Sequence, residues 1–129
     1  MSLLMRATGR KQGSVVTPHR LSEKQMIGQL EAGREYLLSA PGSRRLLSLL
    51  RQRLQSITRN VYVVRYIPEQ TEELYDILVD GVNIVHIELP RDPSSTAIVF
   101  EKSELEEYRR HLTKVVRRKL ELAIELAQR

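Results

Sequence analysis

The chain has 129 residues, enough for one domain that buries about two thirds of its unfolded surface and too few for two independent cores. It contains no cysteine, which excludes disulfides, thiolate-ligated zinc and thiol catalysis, and no apolar run near the ~18 residues a membrane span needs. With 21 Lys and Arg against 16 Asp and Glu, the net charge of +5 is a moderate excess that favours an anionic partner.

Residues 1–20 carry Arg6, Arg10, Lys11 and Arg20 with no acid, and they lack the apolar core of a secretory signal. Gly9, Gly13 and Pro18 would interrupt an amphipathic helix there, so the segment reads as a flexible basic tail ahead of a single domain over 21–129. A cysteine-free chain without a secretory core is expected in the cytoplasm.

Ser22-Glu23-Lys24-Gln25 has capping-box spacing and starts a helix near Glu23, with Met26, Ile27, Leu30, Leu37 and Leu38 as its apolar residues. Gly28 and Gly33 each cost that helix about 1 kcal/mol relative to Ala, so it needs docking to persist. Ala40-Pro41-Gly42-Ser43 breaks the chain, and the spacing of Leu46, Leu47, Leu50, Leu54 and Ile57 predicts a second helix to about Arg59. Residues 60–67 are β-branched and aromatic and end before Pro68, so they read as a strand, with Tyr62 and Tyr66 on one face. Beside Arg65 those rings offer either stacking platforms for single-stranded bases or ordinary sheet packing.

Residues 74–89 read as a hairpin around Asp80-Gly81, and 96–101 as a short fourth strand. Ser103-Glu104-Leu105-Glu106 repeats the capping-box pattern and opens a long final helix with Leu105, Tyr108, Leu112, Val115, Val116, Leu120, Ala123 and Ala127 as its stripe. The expected fold is α+β: two N-terminal helices, a three- or four-stranded mostly antiparallel sheet with a central hairpin, and a long C-terminal helix. The helices are expected on one sheet face.

Charge is segregated along the chain. No acid lies between Glu35 and Glu69, whereas Arg44, Arg45, Arg51, Arg53, Arg59 and Arg65 all fall in that interval. Glu69, Glu72, Glu73, Asp76 and Asp80 then follow with no base among them. Arg44, Arg45, Arg51 and Arg59 oppose the apolar stripe of the second helix, and Arg110, Lys114, Arg117 and Arg118 share the exposed side of the last. These eight are the candidate binding residues of a small non-enzymatic binding or adaptor domain, whose partner is an acidic protein or nucleic acid. Leu122, Ile124 and Leu126 lie outside the last helix's main stripe, so a second copy of the chain is a further expected partner. No membrane partner is expected.

The hairpin loop decides which side chains meet. A two-residue loop sets Val79 opposite Val82 and sends Asp76 and Glu88 to different faces. A three-residue loop with a bulge at Gly81, pairing Leu78 with Val82, gathers Tyr75, Ile77, Val79, Val85, Ile87 and Leu89 on one face. The other face then holds Asp76, His86 and Glu88, and this cleaner sorting favours the bulge. In that arrangement two carboxylates on adjacent strands can hold Mg²⁺. The segment then resembles the hairpin of the PD-(D/E)xK nuclease superfamily, with Asp76 and Glu88 in the places of the acidic ligands. That resemblance implies metal-dependent phosphodiester cleavage as the alternative function, active or lapsed, with Asp76, Glu88 and His86 as its site. It departs at Pro90, where the superfamily has its catalytic lysine; Arg91 and Lys102 stand nearest.

Overall fold

The computed structural model describes residues 21–54 and 59–129. The expected tail over 1–20 and Ile57 of the second helix lie outside them. Helix α1 runs Glu23–Ser39, and its capping box forms as expected: the Ser22 hydroxyl accepts from the Gln25 amide, and the Gln25 side chain accepts from the Ser22 amide. A 3₁₀ turn, Pro41–Ser43, leads into α2, Arg44–Arg53. Buried Ser43 anchors this corner, its hydroxyl 2.8 Å from the Tyr36 carbonyl and 2.9 Å from that of Leu37. A carbonyl that the ending helix leaves unpaired thereby gains a donor.

Helix α2 stops earlier than expected. Leu54 already has extended backbone, with its amide still bonded to the Leu50 carbonyl. Ser56, Ile57 and Thr58, which follow, are poorer helix formers than the leucines and arginines before them. Four antiparallel strands then run in chain order across one sheet: β1 Val61–Pro68, β2 Glu72–Val79, β3 Asn83–Pro90 and β4 Val99–Glu104.

The C-terminal helix is two helices, α3 Leu105–Arg109 and α4 Lys114–Ala127. The expected capping box is not used, because Ser103 and Glu104 pair with Ile84 and Asn83 in the sheet. Thr113 is the true cap of α4, its hydroxyl accepting from the Val116 amide.

Helices cover both sheet faces rather than one. Leu46, Leu47, Leu49 and Leu50 of α2 pack with Val61, Ile77, Val79, Val85 and Ile87 on one side. Leu120, Leu122, Ala123 and Leu126 of α4 pack with Tyr62, Val64, Leu78 and Ile84 on the other. Central strand residues that are apolar on both faces require a helical layer on each. Helix α1 lies along β1 and serves both layers, Met26 and Leu30 in the α4 core and Leu37 in the α2 core. That docking offsets the weakness its two glycines introduce.

Two irregularities position the polar groups. At the hairpin, Asp80 and Gly81 both have positive φ, 53° and 73°, and the Val82 amide bonds back to the Val79 carbonyl. This is the dihedral signature of a type I′ turn with one added residue, so Val79 pairs with Asn83 and Leu78 with Ile84. The expected partner of Leu78 was Val82; the slide of two residues preserves the face of every side chain. In β1 the register shifts between Val63 and Arg65, leaving Val64 as an extra residue. The bulge turns Arg65 onto the face of Asp76 and Tyr66 onto that of Tyr75.

Candidate functional site

Arg65, Asp76, His86 and Glu101 stand in one row across the four strands. Asp76 is only 2% exposed. A carboxylate so placed must be paired or heavily hydrogen-bonded, since stripping its water otherwise costs several kcal/mol. Arg65 Nε donates to Asp76 Oδ2 at 3.0 Å, the Tyr108 hydroxyl donates to the same oxygen at 2.7 Å, and His86 Nδ1 lies 2.6 Å from Oδ1. Each partner depends on a local feature: the β1 bulge for Arg65, the hairpin register for His86, and short helix α3 for Tyr108.

The other ring nitrogen of His86, Nε2, is 2.9 Å from Glu88 Oε2. A neutral imidazole has one donor and one acceptor, so carboxylates at both nitrogens select the imidazolium, which donates twice. Burial pushes the His86 pKa down, but the hydrogen bonds and charges of Glu88 and Asp76 outweigh it and the net shift is upward. Burial, then the hydrogen bond to Asp76, raises the Tyr108 pKa, keeping the phenol protonated as a donor. Arg65 and His86 as cations against Asp76 and Glu88 as anions make the cluster electrically balanced.

A cavity of about 280 Å³ opens beside the cluster, bounded by Arg65, Asp76, His86, Ser103, Glu107, Tyr108 and His111 among others. Its chemistry is self-contained. In a nucleophilic triad the second histidine nitrogen faces a hydroxyl or thiol; here it faces Glu88, so Asp76 and His86 form no such relay with Ser103. The hairpin does bring Asp76, His86 and Glu88 together as the favoured register required, but the imidazole sits between the carboxylates. Both Asp76 oxygens already accept from cationic or hydroxyl donors, and Arg65 opposes a divalent cation at the same oxygen. These residues therefore do not fit Mg²⁺ in the superfamily's manner, and among the described residues no three His, Asp or Glu side chains are grouped to hold a metal.

The eight candidate binding residues do not form one surface. Arg44, Arg45 and Arg51 lie on α2, over one sheet face, whereas Lys114, Arg117 and Arg118 lie on α4, over the other. Several also have internal roles. Arg45 donates to the Pro90 carbonyl, Arg59 pairs with Glu35 at 2.7 Å, Arg110 with Glu107, and Arg118 with Glu23 and Glu121. Arg117 donates to the Arg109 and Leu112 carbonyls. Arg44 and Arg51, two turns apart on α2, are exposed and make no ion pair among the described residues; Lys114 is in the same position on α4.

Two expectations fail on geometry. The β1 bulge separates Tyr62 and Tyr66, so no shared platform for bases exists: Tyr62 is buried in the α4 core under Arg34, and Tyr66 packs 5.0 Å from Tyr75. Leu122 and Leu126 are buried and Ile124 packs against them, because α1 lies beside α4. The apolar arc that argued for a second copy is thus covered within one chain. Missed at the sequence level were the partners of Asp76, Arg65 and Tyr108. A basic residue in the strand preceding the hairpin was visible, but its face depends on a bulge that no residue type announces.

Among the described residues no helix is long and apolar enough to cross a membrane. No family model, curated protein or solved structure matches the chain.

Proposed function

We propose that this chain is a cytoplasmic binding domain without catalysis, which docks an acidic surface of a partner protein through the exposed arginine face of α2. The observation that carries this reading is the state of Arg44 and Arg51. Every acidic residue of the sequence lies among the described residues, yet neither arginine has an acidic partner. Residues 55–58 and 1–20 contain no acid that could reach them. Glu73 and Asp76 of the acidic block engage Arg91 and Arg65 instead. Residues 1–20 supply four of the five net positive charges, so the domain itself is almost neutral and the tail adds long-range attraction.

An acidic protein is favoured over nucleic acid for two reasons. Tyr62 and Tyr66 lie on opposite sheet faces and do not form a shared stacking platform, and Arg44 and Arg51 are about 10 Å apart at 1.5 Å per helical residue, while Arg45 and Arg53 beside them engage the Pro90 carbonyl and the Phe100 ring. The full chain, titrated into labelled poly-L-glutamate and separately into a single-stranded oligonucleotide of equal charge, tests the choice. Tighter binding to the polypeptide is expected, weakening as salt rises. Equal or tighter binding to the oligonucleotide would replace the protein partner with nucleic acid.

A further inference from the structure

On the α2 side of the sheet, away from the Asp76 cluster, a cavity of about 370 Å³ is bounded by Gly33, Tyr36, Leu37, Gly42, Ser43, Leu46, Val63, Tyr66, Glu73 and Tyr75. That volume lies within the range of small-molecule sites. In a chain of 21 Lys and Arg, none lines it. Its charged wall is a carboxylate, Glu73, fixed by the Tyr66 hydroxyl at 2.8 Å and the Tyr75 hydroxyl at 2.9 Å. The nearest balancing charge is Arg91, 3.3 Å from Glu73 from outside the cavity lining. Tyr36 and Tyr66 are about half exposed, so part of each ring that lines the cavity is open to solvent.

The glycines add an independent observation. Gly33 sits in the interior of α1, where glycine is the poorest helix former after proline. Nothing in the fold demands it: an added Cβ would meet only Val63 Cβ, at 3.9 Å. Its visible consequence is a bare backbone wall for the cavity. At Gly42 an added Cβ would meet the Tyr36 hydroxyl, so glycine there leaves Tyr36 free to stand as it does at the cavity.

We infer that this cavity binds a small organic cation carrying apolar substituents, of the alkylammonium class, held by Tyr36, Tyr66 and Tyr75 with Glu73 as counter-charge. Aromatic rings attract cations through their quadrupole, most strongly where water is partly excluded, and an onium with methyl groups matches aromatic and apolar walls better than a hydrated metal ion does. The site is separate from the arginine face of α2 and does not depend on it.

The chain has no tryptophan, and three of its five tyrosines line the cavity, so tyrosine fluorescence reads occupancy directly. Choline and its neutral isostere 3,3-dimethyl-1-butanol are titrated into the full chain. A saturable change with choline, at least roughly tenfold tighter than with the alcohol, is expected from charge recognition. Glu73→Gln is expected to reduce that preference. Gly33→Ala is expected to raise the melting temperature while weakening choline binding, and Gly28→Ala, where a Cβ meets nothing within 4 Å and this cavity is not lined, to raise the melting temperature alone. No saturable response to choline, equal response to the alcohol, or unchanged binding in the stabilised Gly33→Ala protein would each overturn the assignment.

Discussion

His86 is the residue whose charge state organises the candidate site. Its pKa is raised on folding by the two carboxylates it bridges, so the cation contributes stability that is complete below the unfolded value near 6.5. That contribution is lost as pH rises from there through the folded value. Thermal unfolding of wild type and His86→Gln across pH 5.5 to 9 is expected to show the wild-type advantage shrinking toward alkaline pH. A constant or growing advantage would mean that the imidazolium is not the stabilising form. Tyr108→Phe leaves a buried carboxylate one donor short and is expected to cost about 1.5–3 kcal/mol, measured by denaturant unfolding. The sequence revealed Asp76, His86 and Glu88 as a set because their spacing follows hairpin parity. It did not reveal Arg65 and Tyr108, whose contacts depend on a one-residue bulge and on a five-residue helix with no side-chain cap.

At the level of elements, one of the two helix starts read from capping boxes was right. The capping box at Ser22 forms as written, while the same pattern at Ser103 is overridden by ladder pairing to β3, and the modest Thr113 caps the final helix instead. Thr113→Ala is accordingly expected to destabilise by about 1 kcal/mol, whereas Ser103→Ala leaves helix capping unchanged; denaturant midpoints at equal slope compare them. The hairpin turn is a second such point. Gly81 combines a positive φ with a Cβ position 3.2 Å from Ala127, so Gly81→Ala carries both backbone strain and crowding against α4. A loss of at least about 1 kcal/mol is expected in the same measurement. The bulge-based sorting of faces and the three-residue loop were legible because both outcomes could be enumerated; the loop's position, 80–82 rather than 79–81, was not, since Asp80 as well as Gly81 adopts positive φ.

For the whole molecule, the composition-level charge excess proved misleading about location. The net charge belongs mainly to residues 1–20, while the described domain is a nearly neutral three-layer sandwich; on α2, Arg45 engages the Pro90 carbonyl and Arg53 the Phe100 ring, leaving Arg44 and Arg51 exposed without an ion pair. The α+β class was readable from the order of elements. The expectation of helices on one sheet face was wrong, because the central strands are apolar on both sides, as Ile77 beside Leu78 and Ile84 beside Val85. What linear sequence could not supply was the pairing of charges, which separates an arginine that holds the fold from one left for a partner. On the function proposed above, Arg44 and Arg51 are of the second kind. The most direct measurement is poly-L-glutamate affinity at low and physiological salt for wild type and for Arg44→Glu/Arg51→Glu, with melting temperature recorded alongside. Affinity is expected to fall by roughly tenfold or more with stability little changed, because exposed charges contribute little to folding and more to encounter with an opposite surface. Unchanged affinity in the reversed variant would show that the face of α2 is only solvated and that the claim is wrong.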